Sequence, residues 1–218
     1  MTRLLLLNPN TNTATTQAML AIARRAAPES VVIAGRTAPR GLPLITDEAA
    51  LAVAADAVAE LVPEIRADAP DGVILAGFGD PGLERLQAGL ACPVTGIGEA
   101  SMREAMDGGG SFCVVTTTPD LAASISAMAE RCGAGTLWRG VVLTEGDVHA
   151  VMADEGRLLA SLAAACRMAI DQSKVAAVII GGGPLGVAAD VLKTRFPIPI
   201  INPVVAAVRL ALRRCAER

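Results

Sequence analysis

Aromatic side chains, histidine and net charge are all scarce in this chain. Its 218 residues include no Tyr, one Trp, three Phe and one His, and the formal net charge is −3. The sequence therefore offers neither a basic stripe nor a set of aromatic platforms on which bases could stack, and nucleic-acid binding is disfavoured. A small-molecule ligand is the better expectation.

Metal-binding patterns and long apolar runs are also missing. The five cysteines form no CxxC pair and their number is odd, and His149 is the one histidine, so we expect no metal and no other cofactor. This cysteine usage predicts a reducing, cytoplasmic environment and buried, unreactive thiols. No apolar run is long enough for a signal segment or a membrane span, so we expect no membrane partner.

The residues that are abundant are small and aliphatic, and hydrophobic types make up 52% of the chain. Short apolar runs alternate with Ala-rich stretches of helical period, which predicts an α/β fold with helices on both faces of parallel sheets. Strands are predicted at 4–7, 31–35, 72–76, 94–95, 112–116, 137–143, 175–180 and 199–201. The two longest predicted helices span 47–68 and 147–172.

An internal duplication organises these elements. Segment 6–11 corresponds to 114–119, 73–83 to 178–186 and 92–96 to 198–202, each pair about 106 positions apart. We predict two similar Rossmann-like halves, 1–97 plus 204–218 and 98–203, whose parallel sheets are related by a pseudo-two-fold with a ligand cleft between them. The apolar excess of so small a chain favours a homo-oligomer.

Polar and glycine-rich turns follow four of the predicted strands, at 8–12, 77–82, 116–118 and 181–184. In open α/β folds such turns converge on one cleft, and the helices that they precede favour an anion such as a carboxylate or an enolate. Helix capping and tight strand-to-helix turns are the structural alternatives for the same residues. The predicted ligand-binding residues are Asn8, Asn10, Gly77, Phe78, Gly79, Thr116, Thr117, Thr118, Gly182, Gly183, Pro184 and Leu185.

Five segments, 8–11, 78–83, 96–100, 114–117 and 203–207, together resemble the aspartate/glutamate/hydantoin racemase superfamily, and most closely its hydantoin and allantoin racemase branch. The resemblance covers nearly the whole chain. It implies a cofactor-independent reaction on a small carboxylate or cyclic amide, in which one cysteine of each half removes or returns a proton on opposite faces of the substrate. At the two corresponding positions this sequence has Gly77 and Gly182, so it lacks both cysteines.

A different proton carrier is then needed. Asp80, Thr116 and Thr117 are the predicted catalytic residues, and Glu99 or a bound water are alternatives. An ordinary carboxylate is a weak base towards carbon, so Asp80 would need a raised pKa.

The reaction stays open between racemase-like or other isomerisation and hydrolysis or decarboxylation. The alternative function is a catalytically inactive homologue that binds a small anion or has a regulatory role. Deliberate replacement of the cysteines is a further reading, which the choice of glycine argues against.

Overall fold

The two predicted parallel sheets are present, each with four strands. The computed structural model describes residues 1–217. The first sheet contains β1 (Thr2–Asn8), β2 (Val31–Thr37), β3 (Gly72–Leu75) and β4 (Val94–Gly96), and the second contains β5 (Phe112–Thr116), β6 (Trp138–Leu143), β7 (Ala177–Ile180) and β8 (Ile200–Ile201). The strand orders are β2-β1-β3-β4 and β6-β5-β7-β8, with every pairing parallel. The predicted α/β class and all eight predicted strands are confirmed.

Ten α-helices connect and cover the strands in the described part of the chain. They are α1 (Thr13–Ala26), α2 (Glu48–Glu60), α3 (Val62–Asp68), α4 (Leu83–Gly89), α5 (Ile97–Asp107), α6 (Ala122–Arg131), α7 (Val148–Met152), α8 (Glu155–Ser173), α9 (Gly186–Leu192) and α10 (Pro203–Ala216). Short 3-10 turns precede α6 and α9, at Pro119–Leu121 and Gly183–Leu185. None of the helices within residues 1–217 has both the length and the apolar character needed to cross a membrane.

The predictions of two long helices are wrong in one respect, because the structure has two shorter helices in place of each. Segment 47–68 breaks between α2 and α3, where Pro63 stands in the first turn of α3. Proline has no N–H, and its ring clashes with the preceding turn, so a continuous helix cannot pass through it. Segment 147–172 breaks before α8, where the Asp154 carboxylate accepts a hydrogen bond from the Arg157 N–H at 2.7 Å and starts a new helix.

The connections that leave the edge strands β2 and β6 begin in the same way. The Ala38 N–H donates to the Asn8 carbonyl at 2.9 Å, and the Thr144 N–H donates to the Thr116 carbonyl at 3.0 Å. In each sheet the chain that leaves the edge strand is thus tied to the carboxyl end of the neighbouring strand. Both connections therefore start beside the strand ends where a ligand cleft is expected.

One buried hydrophobic cluster contains residues of both sheets, and each sheet also packs in a cluster of its own. The largest buried cluster includes Leu4 and Leu6 of β1 together with Phe112 and Val114 of β5, all 2% exposed or less. Helix α10 contributes to the same cluster and packs against α1, α5, β3 and β4. The C-terminal helix thus covers the sheet that begins the chain, and apolar packing joins the two halves.

The cysteines are less uniformly buried than predicted. Cys113 and Cys166 are fully buried, and burial raises the pKa of each thiol to about 12. Cys92, Cys132 and Cys215 are half-buried, so the prediction is wrong for these three. They lie at a loop or at helix ends, where packing covers only one side of the residue.

Candidate active site

A cleft lies at the carboxyl ends of the central strands of both sheets. It is lined by Pro9, Asn10, Leu44, Ile45, Ala76, Gly77, Phe78, Thr116, Thr117, Thr118, Leu121, Ile125, Met152, Gly181, Gly182, Gly183, Pro184 and Leu185. Of the predicted ligand-binding residues, all except Asn8 and Gly79 are among them. In each sheet the central strands are parallel neighbours, so the ends of β1 and β3 lie side by side, as do those of β5 and β7, and residues after all four strands line the cleft.

No lining residue has an ionisable side chain. Asp80, Glu99 and Cys132 border a different concavity, on the far side of the 77–83 turn. The described cleft also contains no cysteine, and no group of three or more His, Cys, Asp or Glu within residues 1–217 is arranged to hold a metal ion. Hydrogen bonds and apolar contacts are therefore what the cleft offers to a ligand.

The two predicted asparagines have different surroundings. Asn8 is fully buried, and its Nδ2 donates to the Asn10 Oδ1 at 2.8 Å and the Thr16 Oγ1 at 2.9 Å, so its amide holds the turn together. The Asn10 Oδ1 also accepts from the Asn12 N–H at 2.9 Å. The Asn10 Nδ2 donates to no group within residues 1–217 and is available to a ligand.

The three threonines after β5 also differ. The Thr116 hydroxyl donates to the Gly181 carbonyl at 2.8 Å and lies 3.1 Å from the Thr118 Oγ1, so both hydroxyls belong to an internal network that links the β5 and β7 turns. Thr117 is 5% exposed, and no described residue shares a hydrogen bond with its hydroxyl. Thr117 is therefore the threonine whose hydroxyl can bind a ligand without breaking an existing bond.

Backbone N–H groups add further donors to the cleft. The N–H groups of Gly77, Phe78, Thr117 and Thr118 have no acceptor among residues 1–217. Buried N–H groups are normally paired, so a ligand oxygen is a suitable partner for them. This donor set is suited to carbonyl oxygens and to the negative oxygen that forms when a carbonyl is enolised.

Other side chains occupy the space beside Gly77 and Gly182. A Cβ atom on Gly77 would lie 2.4 Å from Pro9 Cγ, and one on Gly182 would lie 3.0 Å from Leu185 Cδ1. The Pro9 ring is stiff, whereas the end of the Leu185 side chain can rotate. The cleft is thus packed around glycine at both positions, more tightly at Gly77.

Asp80 lies outside the cleft and binds the start of α5. Its Oδ1 accepts from the Gly98 N–H at 2.8 Å and its Oδ2 from the Glu99 N–H at 2.7 Å. Burial raises the pKa of Asp80 to about 7, although the two N–H groups lower it. The raised pKa agrees with the sequence hypothesis for a base, but the carboxylate is directed at a helix rather than at the cleft.

The contact between the Asp80 carboxylate and the start of α5 links two of the segments that the sequence singled out, 77–82 and 96–100. A Cβ atom on Gly96 would lie 2.2 Å from the Asp80 carboxyl carbon, and one on Gly98 would lie 2.9 Å from its Oδ2. Only glycine at these positions lets the carboxylate reach the N–H groups of α5. Segments 77–82 and 96–100 therefore form one structural unit, which spacing along the sequence did not indicate.

Glu99 is bound on the side away from the cleft. Its Oε1 accepts from Arg214 Nη1 of α10 at 2.5 Å, and the same guanidinium nitrogen donates to the Val94 carbonyl and the Thr95 hydroxyl, each at 3.0 Å. Glu99 also accepts from the Gly96 N–H at 3.4 Å, as a helix-capping acid does. Its position is that of a residue that joins α5 to α10.

Eight lining residues lie outside the predicted ligand-binding set. They are Pro9, Leu44, Ile45, Ala76, Leu121, Ile125, Met152 and Gly181. Leu44 and Ile45 follow the edge strand β2, and Met152 follows the edge strand β6, so they occupy comparable connections of the two halves. The internal duplication is the one sequence signal that could have pointed to these connections. It did not do so, because the two connections share no recognisable motif.

The family model described as Asp/Glu/Hydantoin racemase matches residues 4–211. A hydantoin racemase from Paenarthrobacter aurescens is 28% identical over 211 residues, which cover 96% of this chain and 89% of that protein.

Solved structures agree with this match. An allantoin racemase from Klebsiella pneumoniae superimposes with a TM-score of 0.93 and 28% identity, covering 100% of this chain and 89% of that one. A variant of maleate cis-trans isomerase from Nocardia farcinica has a TM-score of 0.69 at 19% identity, over 99% and 93% of the two chains, and shows the same fold.

Proposed function

The chain belongs to the Asp/Glu/hydantoin racemase family, and we propose that it is a cofactor-independent enzyme whose substrate is a small, uncharged cyclic amide of the hydantoin class. The observation that carries this proposal is the combination of unpaired hydrogen-bond donors with the lack of any ionisable side chain among the residues that line the described cleft.

The missing charges favour a cyclic amide over a carboxylate. A carboxylate that leaves water without a cationic partner costs several kcal/mol, because solvation of the charge is lost. A cyclic amide is neutral, and its carbonyl oxygens accept hydrogen bonds from groups such as the Thr117 hydroxyl, the Asn10 Nδ2 and the Phe78 N–H. Relatives named hydantoin racemase and allantoin racemase support the same ligand class.

The same donors support a reaction that needs no thiol. Removal of the proton from a ring carbon beside a carbonyl places negative charge on the carbonyl oxygen, and fixed donors at the Thr117 and Phe78 turns stabilise that charge. Since the lining side chains include no base, solvent water takes the proton and returns it. Return to the opposite face inverts the ring carbon, which is racemisation.

The test uses one enantiomer of a 5-substituted hydantoin in D₂O. Proton NMR follows loss of the ring C–H signal, and chiral chromatography follows the other enantiomer. We expect exchange above the rate without protein, and Thr117→Val to lower it by about 10-fold or more through loss of one donor. Thr136→Val, at an exposed threonine outside the cleft, is the matched control and keeps the full rate.

Ring opening seen in the same spectra would instead identify hydrolysis. The enzymatic proposal would be overturned if no hydantoin showed either deuterium exchange or ring opening.

The lack of an ionisable side chain in the described cleft also favours a second candidate, a homologue that binds a cyclic amide without turning it over. Such a protein shows ligand-dependent thermal stabilisation of size RT ln(1 + [L]/Kd) and no deuterium exchange. Both candidates are stabilised by the ligand in calorimetric melting, but only the enzyme exchanges deuterium, so melting and exchange with the same hydantoins together distinguish them.

A further inference from the structure

Part of the cleft surface is formed by four aliphatic side chains, which we name the apolar wall: Leu44, Ile45, Leu121 and Ile125. Leu44 and Ile45 belong to the connection between β2 and α2, and the other two lie in the 3-10 turn and helix that follow β5. Leu121 and Ile125 are 5% and 1% exposed, whereas Leu44 and Ile45 are half-buried. The wall therefore has apolar surface that a ligand can still cover.

Hydrogen bonds next to the wall hold its two segments in place. The Ser124 hydroxyl donates to the Glu48 Oε1 at 2.9 Å, and these residues are close neighbours in sequence of Ile125 and Ile45 respectively. The connection itself is fixed by the Thr11 N–H, which donates to the Leu42 carbonyl at 3.0 Å. The wall is thus a built surface between the two halves.

We propose that the apolar wall selects cyclic amides with an aliphatic group on the ring carbon over those with a ureido or carboxylate group there. This inference rests on the proposed function and specifies the substrate further. None of the four wall side chains can donate or accept a hydrogen bond, so a ureido group that leaves water for this surface loses its hydrogen bonds. An aliphatic group gains about fourfold in affinity for each methylene that it buries. The relatives carry both names, hydantoin racemase and allantoin racemase, and the wall favours a ligand unlike allantoin.

The experiment compares three probes by isothermal titration calorimetry: unsubstituted hydantoin, 5-isopropylhydantoin and allantoin, whose substituent is a ureido group. We expect 5-isopropylhydantoin to bind at least about tenfold more tightly than allantoin, which corresponds to burial of about two carbon atoms. Ile45→Asn should reduce this preference to less than about threefold, since it replaces aliphatic surface by an amide.

Leu42→Asn is the matched control. Leu42 lies in the same connection, is 45% exposed and does not line the cleft, so its substitution should leave the preference unchanged. Unsubstituted hydantoin should bind equally well to the wild type and to Leu42→Asn, because Leu42 does not line the cleft.

The outcomes separate this inference from the function on which it rests. If unsubstituted hydantoin binds but allantoin binds as tightly as 5-isopropylhydantoin, or if Ile45→Asn leaves the preference intact, the wall does not select the substituent and the proposed function stands. If none of the three probes binds the wild type, the proposed function itself fails.

Discussion

At the scale of single residues, Gly77 and Gly182 show how the cleft is packed around missing side chains. Each lies in the turn after a central strand, one in each half, but their neighbours differ in stiffness. The Pro9 ring fills the space beside Gly77, and the flexible but buried Leu185 side chain fills the space beside Gly182. The tolerance of the two positions to a new side chain should therefore differ.

We expect Gly77→Ala to destabilise the protein by about 1–3 kcal/mol, because a Cβ atom 2.4 Å from Pro9 Cγ forces the ring or the turn to move. Gly182→Ala should change the stability by less than about 1 kcal/mol, because Leu185 can rotate and the unfolded chain loses some freedom. Urea denaturation midpoints measure both effects. Equal midpoints for the two variants would contradict the packing described here.

Asp80 is the residue whose ionisation should affect stability. Its pKa in the folded protein, about 7, lies above the ordinary value of 3.8. Between about pH 4 and pH 7 the folded state therefore keeps a proton that the unfolded state releases. This contribution to stability is complete below about pH 4 and is lost as the pH rises through about 7. Glu99, which raises the pKa, and Arg131, which lowers it, are the charged groups nearby.

We therefore expect the melting temperature of the wild type, relative to Asp80→Asn, to fall between about pH 5 and pH 7 and to level off above about pH 8. Asparagine does not titrate and serves as the reference at each pH. Differential scanning calorimetry in buffers of constant ionic strength measures the difference. A difference that stays constant or grows with pH would show that the carboxylate is already ionised near pH 5.

At the scale of secondary-structure elements, one guanidinium group adds polar contacts to the apolar packing that holds α10 against the first sheet. Arg214 donates to the Val94 carbonyl, the Thr95 hydroxyl and the Glu99 carboxylate, and the Arg214 and Glu99 side chains are only 23% and 13% exposed. Such a bond to a sheltered carboxylate is worth more than a surface ion pair, because removal of one partner leaves the other charge poorly solvated.

Arg214→Met should lower the free energy of unfolding by about 2–3 kcal/mol, since the methionine keeps much of the packing but donates no hydrogen bond. Arg213→Met, at an exposed neighbour on the same helix, should be close to neutral. Adding Glu99→Gln to Arg214→Met should recover part of the loss by removing the unpaired charge. Chemical denaturation of the four proteins tests this, and an undiminished loss in the double variant would point to packing rather than charge.

At the scale of the whole molecule, the buried cluster that contains residues of both sheets should make the two halves unfold as one cooperative unit. Trp138 in β6 is the one tryptophan and contacts Phe112 of β5 in a tilted arrangement at a ring-centroid distance of 5.6 Å, so its fluorescence reports on the second half. Phe112 belongs to the buried cluster that also contains Leu6 of β1. Unfolding of the first half should therefore be visible at Trp138.

We expect tryptophan fluorescence and far-UV circular dichroism to give the same urea midpoint. Leu6→Ala, at a fully buried position of the first sheet, should shift both midpoints together by the equivalent of about 2–5 kcal/mol. Leu42→Ala, at an exposed leucine, is the control and should shift neither. A fluorescence midpoint that does not respond to Leu6→Ala would mean that the halves unfold independently.

The sequence by itself determined the α/β class, all eight strands and most residues of the cleft. Periodicity and glycine-rich strand ends are local signals, and parallel topology brings the ends of the central strands together wherever such strands pair.

Only the tertiary structure decided what each polar residue contacts. It directed the Asp80 carboxylate to α5, engaged the Thr116 hydroxyl at Gly181 and left the Thr117 hydroxyl without a protein partner. It also brought Leu44 and Ile45 to the cleft. These residues lie in the connection between β2 and α2, which contains no recognisable sequence motif. These outcomes depend on side-chain directions and on contacts between residues far apart in the chain, which local sequence patterns do not encode.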